Sequence, residues 1–95
     1  MAGQYVSEDA ACRGLMAAVV LQAAEDYGNC LLGNYNKHLP KEKEIYEGAK
    51  PFLLSDDLRW YTNIEGSSIV KEVERRVAEW NPKNGRFRLI NGIIE

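Results

Sequence analysis

The 95-residue chain has few of the residues that build metal, disulfide and nucleophilic sites. It has one histidine, His38, and two cysteines, Cys12 and Cys30. On one straight helix these cysteines would lie about 27 Å apart, from a rise of 1.5 Å per residue, which is too far for a disulfide. We expect both to be small buried residues in a reducing compartment. Without a Cys-x-x-Cys pair or a Cys/His cluster, no metal site is predicted.

Catalytic motifs are also missing. The sequence has no GxGxxG, Walker or GxSxG pattern. Asp56 and Asp57 form a carboxylate pair that could serve a hydrolase or transferase, but both fall at a predicted helix start, where negative charge stabilises the helix dipole. Ser67 and Ser68 lack a visible histidine partner. We therefore predict no catalytic residues and no cofactor, and keep catalysis by the two aspartates as a third hypothesis.

Long apolar runs are absent, with one partial exception in residues 10–24, AACRGLMAAVVLQAA. Arg13 and Gln22 interrupt this run, whereas a membrane span needs about 20 apolar residues. Glu8 and Asp9 precede it at the place where a signal peptide would carry basic residues. The sequence therefore predicts a cytoplasmic protein without a membrane partner.

The composition is that of one small globular domain, residues 1–95, with 45% hydrophobic and 27% charged residues. A net charge of −2 disfavours nucleic-acid binding that is independent of sequence. The charge is uneven, because residues 71–90 hold six of the twelve Lys and Arg but three of the fourteen Asp and Glu. This basic end could meet phosphate or an acidic partner, although we favour a solvated helix face.

A long apolar helix is predicted at the centre of the fold. It follows a loose end at residues 1–6, is capped by Ser7 and runs from Glu8 to about Leu32. Apolar residues cover most of its circumference, which indicates neighbours on several sides. These residues are Cys12, Leu15, Met16, Val19, Val20, Ala23, Ala24, Tyr27 and Leu31.

Two short helices are predicted next. The first covers residues 41–50 after Pro40, with a kink or break at Pro51 because proline disfavours helical geometry in the residue before it. The second covers residues 56–61 and is capped by Ser55.

A fourth helix is predicted from Ile64 to about Trp80. Thr62 and Glu65 fit a capping box, and Asn63 is the competing cap. Its apolar stripe consists of Ile69, Val73, Val77 and Trp80. The fold class is therefore all-α, a small bundle of three to four helices around the N-terminal helix, with a helical body at about residues 7–80.

The tail, about residues 81–95, is predicted to form a short hairpin or an extended segment. An isolated hairpin is marginal in water, so this segment must dock on the helices, pair with another copy or stay mobile. Trp80 either closes the core or forms an interface with Phe87 and Leu89. A homo-oligomer through Trp80 and the tail is therefore a candidate state.

Residues 17–27, AAVVLQAAEDY, and 52–73, FLLSDDLRWYTNIEGSSIVKEV, resemble a family of small, mostly uncharacterised proteins of phages and integrated mobile elements in Gram-positive bacteria. The resemblance covers about a third of the chain. A tryptophan usually stands in that family at the place of Asp57, whereas Trp60 here lies one turn later. The resemblance implies an all-helical core and an origin in a phage or mobile element, and it implies no known reaction. Its most specific spacing comprises Ser55, Leu58, Tyr61, Thr62, Ile64, Glu65, Gly66, Ile69, Val70 and Val73.

Arg59, Trp60 and Tyr61 lie side by side just before Thr62 and Asn63, a predicted helix start. Free N–H groups at such a start bind anions, and the aromatic rings could stack on a base or on a partner's apolar surface. The alternative is that the rings pack into the helix corner and Arg59 is solvated. The sequence leaves open whether Trp60 belongs to the core or to a contact surface.

These features predict a non-enzymatic binding protein of a phage or mobile element in the cytoplasm of a bacterial host. Its expected role is counter-defence, by blocking a host protein or by sequestering a small anionic nucleotide signal; this role follows from origin, not from site chemistry. The alternative is a nucleic-acid-binding regulator in which Lys71, Arg75 and Arg76 of the fourth helix face phosphate. Arg75 and Arg76 therefore complete the candidate site.

Overall fold

One long helix, α1, spans Ala2–Leu32 and sets the length of the molecule. The fold is known from a computed structural model, which describes the backbone of residues 2–89 and the side chains of residues 17–89. The 31 residues of α1 correspond to about 46 Å at 1.5 Å per residue, close to the longest dimension of 49 Å. The other elements pack on this helix.

Three further α-helices follow: α2 at Pro40–Glu47, α3 at Ala49–Leu53 and α4 at Gly66–Ala78. Two 3-10 helices lie at Asp56–Trp60 and Pro82–Asn84. Residues 2–89 contain no strand. The predicted all-α bundle around the N-terminal helix is confirmed.

The core lies between α1, α3 and α4. On α1 it takes Val20, Ala24 and Tyr27, as the helical stripe predicts. The prediction that several neighbours pack on α1 is confirmed, because α2, α3 and α4 all contact it, although Val19 is 36% exposed and Leu31 is 46% exposed. The buried apolar residues are Val20, Ala24, Tyr27, Ala49, Leu53, Leu58, Ile69, Val70, Val73, Phe87 and Leu89.

The start of α1 differs from the prediction. The helix begins at Ala2, so Ser7 lies inside it and is not its N-cap, and residues 2–6 are helical, not a loose end. Extending an existing helix adds one backbone hydrogen bond per residue, whereas a serine in its interior is only slightly unfavourable. Continuation therefore prevails over a stop at Ser7.

The break predicted at Pro51 lies at Gly48. The Gly48 N–H donates to the Glu44 carbonyl at 3.0 Å and ends α2, and the Gly48 carbonyl accepts the Phe52 N–H at 3.2 Å and starts α3. Pro51 is then in the first turn of α3, where its missing N–H deprives no carbonyl of a partner.

The predicted caps of the later helices are only partly correct. Ser55 precedes the 3-10 helix, but its hydroxyl donates to the Phe52 carbonyl at 2.6 Å and makes no capping bond. Thr62 and Asn63 do not cap α4, whose N-cap residue is Glu65. The Thr62 Oγ1 instead accepts the Ile64 N–H at 3.2 Å, which stabilises the turn before the helix.

Gly66 explains why α4 begins two residues later than predicted. A Cβ on Gly66 would lie 1.7 Å from the Leu53 carbonyl oxygen. The first turn of α4 therefore packs directly against the backbone at the end of α3. The helix begins only where the chain reaches this contact with Leu53. Only glycine permits this approach.

The tail docks on the chain's own core. Phe87 and Leu89 are buried, and the side chain of Asn29 pairs with the Phe87 backbone. Asn29 Oδ1 accepts the Phe87 N–H at 2.8 Å, and Nδ2 donates to the Phe87 carbonyl at 3.2 Å. The amide thus does what a neighbouring strand would do, although residues 86–89 are not a strand. The rest of the predicted tail, residues 90–95, lies outside the described residues.

Trp80 closes the core, which is the first of its two predicted roles. Its ring meets Phe87 edge-on, with centroids 5.2 Å apart, and its Nε1 donates to the Gly85 carbonyl at 3.1 Å. Because Phe87 and Leu89 are buried within the same chain, they are not the exposed tail residues on which the predicted oligomer interface depends.

Candidate functional site

The predicted aromatic-basic corner is one continuous turn. Arg59 and Trp60 end the 3-10 helix, and Tyr61, Thr62 and Asn63 follow before α4. Together these five residues line an open depression of about 520 Å³. We call them the Trp60 corner.

Trp60 points out of the fold, with 74% of its surface exposed. Its neighbours on both sides are anchored: Leu58 is buried, and the Tyr61 ring contacts Phe52 edge-on with centroids 5.6 Å apart. Packing into the corner is therefore right for Tyr61 and wrong for Trp60. The Trp60 ring therefore lies outside the core and is accessible to another molecule.

The backbone of the Trp60 corner is fixed by its own hydrogen bonds. The Tyr61 and Thr62 N–H groups both donate to the Leu58 carbonyl, at 2.9 and 3.2 Å. The predicted anion site at Thr62 and Asn63 is not a helix start, because α4 begins at Gly66 behind the carboxylate of Glu65. A negative charge at that N-cap opposes a bound anion.

Carboxylates surround the one cation of the Trp60 corner. Arg59 Nη2 lies 3.7 Å from Asp56 Oδ1 on the exposed surface. A second depression, of about 380 Å³, is also lined by Arg59, and Asp56 and Glu65 are among its other lining residues. Asp56 and Asp57 are both exposed, so the surroundings offer no shielding from water for acid–base chemistry between them.

Arg75 and Arg76 lie on α4 in a different cluster, and neither lines the depressions at the Trp60 corner. Arg75 donates to Glu72 at 2.6 Å and to Glu79 at 3.3 Å. Arg76 donates to Glu72 at 2.8 Å. The candidate site thus divides in two, and the face expected to be basic carries carboxylates beside both arginines.

The charged residues Glu72, Arg75, Arg76 and Glu79, which we call the α4 cluster, make a small part of the free energy of unfolding depend on pH. Hydrogen bonds from Arg75, and then from Arg76, lower the pKa of Glu72 from 4.5 to about 2. Folding therefore favours the carboxylate, and this contribution is complete above pH 4.5 and is lost as the pH falls towards 2. We expect Glu72→Gln to flatten the pH dependence of the free energy of unfolding in that range, by a small amount because water screens the cluster.

Urea denaturation at a series of pH values checks this expectation. Ser67→Ala, which changes an exposed and uncharged residue of α4, is the control and should keep the slope of the parent protein. Equal slopes for Glu72→Gln and the parent between pH 4.5 and 2 would contradict the assignment.

A cavity larger than the two depressions beside the Trp60 corner lies between α1 and the α2–α3 pair. It is a groove of about 620 Å³, and sequence reasoning missed it. Its apolar wall residues Val19 and Ile45 are both exposed, and the sequence alone gives no signal of that exposure. The groove is lined by Ala18, Val19, Gln22, Ala23, Asp26, Glu44, Ile45, Gly48, Ala49 and Phe52.

The described residues contain no group of three or more His, Cys, Asp or Glu side chains arranged to hold a metal ion. His38 is exposed, and Cys30 is a half-buried free thiol. None of the helices within residues 2–89 combines the length and the apolarity needed to cross a bilayer.

Comparison of the chain with models of known families, with curated proteins and with solved structures finds no match. The resemblance of residues 17–27 and 52–73 to small phage and mobile-element proteins therefore stays an expectation. A function has to be argued from the surfaces themselves.

Proposed function

We propose that this chain is a non-enzymatic binding protein of a phage or mobile element, which counters host defence by blocking a host protein through the Trp60 corner. The proposed origin rests on the resemblance of residues 17–27 and 52–73. The proposed mode of action rests on one observation, the 74% exposure of Trp60 on an anchored turn.

A protruding indole favours a protein partner. Tryptophan is enriched among the residues that dominate interface energies, because it buries a large apolar surface with few rotatable bonds. The turn is already fixed by the bonds to the Leu58 carbonyl, so binding would order little additional backbone. Trp60 would be the central contact, and Thr62 and Asn63 would supply polar groups at the rim.

The charges favour a protein over an anionic nucleotide. Arg59 is paired with Asp56, and Glu65 lines the depression that both of them share. A phosphate placed beside Arg59 would also approach these two carboxylates. A protein surface with an apolar pocket for Trp60 and basic residues around it complements this arrangement better.

The nucleic-acid alternative draws less support from the geometry. Its phosphate contacts would come from Lys71, Arg75 and Arg76, and the last two already donate to Glu72. Binding phosphate would therefore require breaking these pairs or accepting the nearby negative charge.

The test is a phage-plating assay in Gram-positive hosts that carry defined defence systems. Expression of the chain is expected to restore plating in at least one host, and Trp60→Ala is expected to abolish the effect. Leu31→Ala, which truncates an exposed apolar residue at the end of α1, is the matched control and should keep the activity. Restoration by Trp60→Ala as strong as by the parent would contradict the proposal.

Trp60→Ala should also leave the fold intact. Because the ring is 74% exposed, we expect the free energy of unfolding to change by less than about 1 kcal/mol. Urea denaturation followed by circular dichroism measures this change. A loss of about 3–5 kcal/mol, as for a buried tryptophan, would place the ring in the core and remove the basis of the proposal.

A panel of cyclic nucleotides in a thermal-shift assay separates the two kinds of partner. We expect no nucleotide to raise the melting temperature. A rise that Trp60→Ala abolishes would replace the blocked host protein with a sequestered nucleotide.

A further inference from the structure

The groove between α1 and the α2–α3 pair is apolar along most of its length. Ala23 and Ala49 are too small to fill the space between the helices, and larger apolar residues stand beside them. Ile45 is 57% exposed and Val19 is 36% exposed, although both belong to packed helices. The volume of about 620 Å³ lies within the range of protein binding sites, roughly 300–1,000 Å³.

The charged residues of the groove are of one sign. Asp26 and Glu44 line it, and none of its described lining residues is a lysine or arginine. Gln22 Nε2 donates to Asp26 Oδ1 at 2.9 Å, which holds that carboxylate in place. Arg86 is the neighbouring cation, and its side chain is engaged by the Tyr46 hydroxyl and by the Asn34 carbonyl.

Asp26 is also poorly solvated. Burial raises the pKa of its carboxyl, against the lowering effects of the Gln22 hydrogen bond and the Arg86 charge. A cation brought to this position by a ligand would regain the stabilisation that water no longer supplies.

The same charges argue against two occupants from the chain itself. Residues 90–95, INGIIE, are mostly apolar, but their one charged residue is Glu95, which would bring a carboxylate to an acidic groove. A second copy related by a twofold axis would bring Asp26 and Glu44 towards their own equivalents. Both arrangements place like charges together, whereas a basic partner would neutralise them.

We propose that this groove binds a basic amphipathic helix of a partner protein. The apolar face of the helix would lie on Val19, Ile45 and Phe52, and its Lys or Arg residues would meet Asp26 and Glu44. Two helical turns with apolar residues at i, i+4 and i+7 span about 10.5 Å, which matches the length of about 12 Å over which residues 18–26 of α1 line the groove. The site is separate from the Trp60 corner, and neither proposal depends on the other.

The probe is a fluorescein-labelled synthetic 14-residue peptide with leucine at i, i+4, i+7 and i+11 and lysine at most other positions. Fluorescence anisotropy measures its dissociation constant for the purified full chain. Ile45→Asp and Val19→Asp each change an exposed wall residue and are expected to weaken binding roughly tenfold or more. Glu44→Lys is expected to weaken it by a similar factor and to reduce its salt dependence.

Three controls make the result specific. Leu31→Asp, at an exposed residue outside the groove, should leave the dissociation constant unchanged. A peptide of the same composition with its leucines spread around the helix should bind at least about tenfold more weakly. A peptide with glutamate in place of lysine should bind more weakly still.

Equal binding of the ordered and scrambled peptides, or full binding by Ile45→Asp, would overturn the proposal. So would self-association of the parent chain that Ile45→Asp abolishes, since a second copy would then occupy the groove. Tighter binding after deletion of residues 90–95 would identify the tail as the occupant and would equally overturn it.

Discussion

Replacing Gly66 with alanine is expected to lower the free energy of unfolding by about 3 kcal/mol. The new Cβ would lie 1.7 Å from the Leu53 carbonyl oxygen and 2.8 Å from its carbon. These are backbone atoms, so no side chain can rotate away to make room. Relief requires α3 and α4 to separate, and each carries a fully buried residue, Leu53 and Ile69.

Helix propensity alone predicts the opposite sign. Alanine is about 1 kcal/mol better than glycine within a helix, so an isolated α4 would gain from the change. Urea denaturation followed by circular dichroism distinguishes the expected loss of stability from the gain that helix propensity predicts. Ser67→Ala, at the next and exposed position, is the control and should change stability by less than about 0.5 kcal/mol. A Gly66→Ala protein as stable as the parent would mean that α4 does not rest on Leu53.

Truncating Phe87 to alanine is expected to cost about 3–5 kcal/mol. The ring is 1% exposed and fills the space between α1 and Trp80. The backbone bonds to Asn29 do not use the ring, so the loss reports packing and not the amide pairing. Arg88→Ala, at the neighbouring exposed position, should have little effect on the same urea curves.

A double-mutant cycle with Gly28 tests the contact itself. An added Cβ at Gly28 would lie 2.2 Å from Phe87 Cδ2, so Gly28→Ala alone should also destabilise the fold. In the Phe87→Ala background the new methyl group enters the space left by the ring, and the second change should cost much less than it does alone. Strict additivity of the two losses would contradict the contact.

The order of the main helices could be predicted because apolar periodicity is a local property, although α3 was not expected as a separate helix. The stripes through Val20, Ala24 and Tyr27 and through Ile69 and Val73 are buried as their spacing indicates. The helix starts were predicted less well. A cap contributes about 1 kcal/mol, and tertiary contact outweighs it where Gly66 meets Leu53 across the core. The capping pattern at Thr62 gives no indication of the contact between Gly66 and Leu53.

The candidate site shows the same division between local and distant information. Arg59 to Asn63 are consecutive, so the sequence was enough to group them as one site, although it predicted the end of one helix and the cap of the next. The outward direction of Trp60 depends on the burial of Leu58 and the contact between Tyr61 and Phe52, which the sequence does not state. The groove joins Val19 to Ile45, two segments far apart in the chain, and no single periodic pattern contains both.

The docking of Phe87 on α1 has a consequence for synthesis. The apolar face around Gly28 leaves the ribosome 59 positions ahead of the ring that covers it. At a translation rate of about 5–20 residues per second, that face waits roughly 3–12 s for its partner. During this interval the nascent chain exposes an apolar surface, so its yield in a cell should depend on chaperones that bind nascent polypeptides.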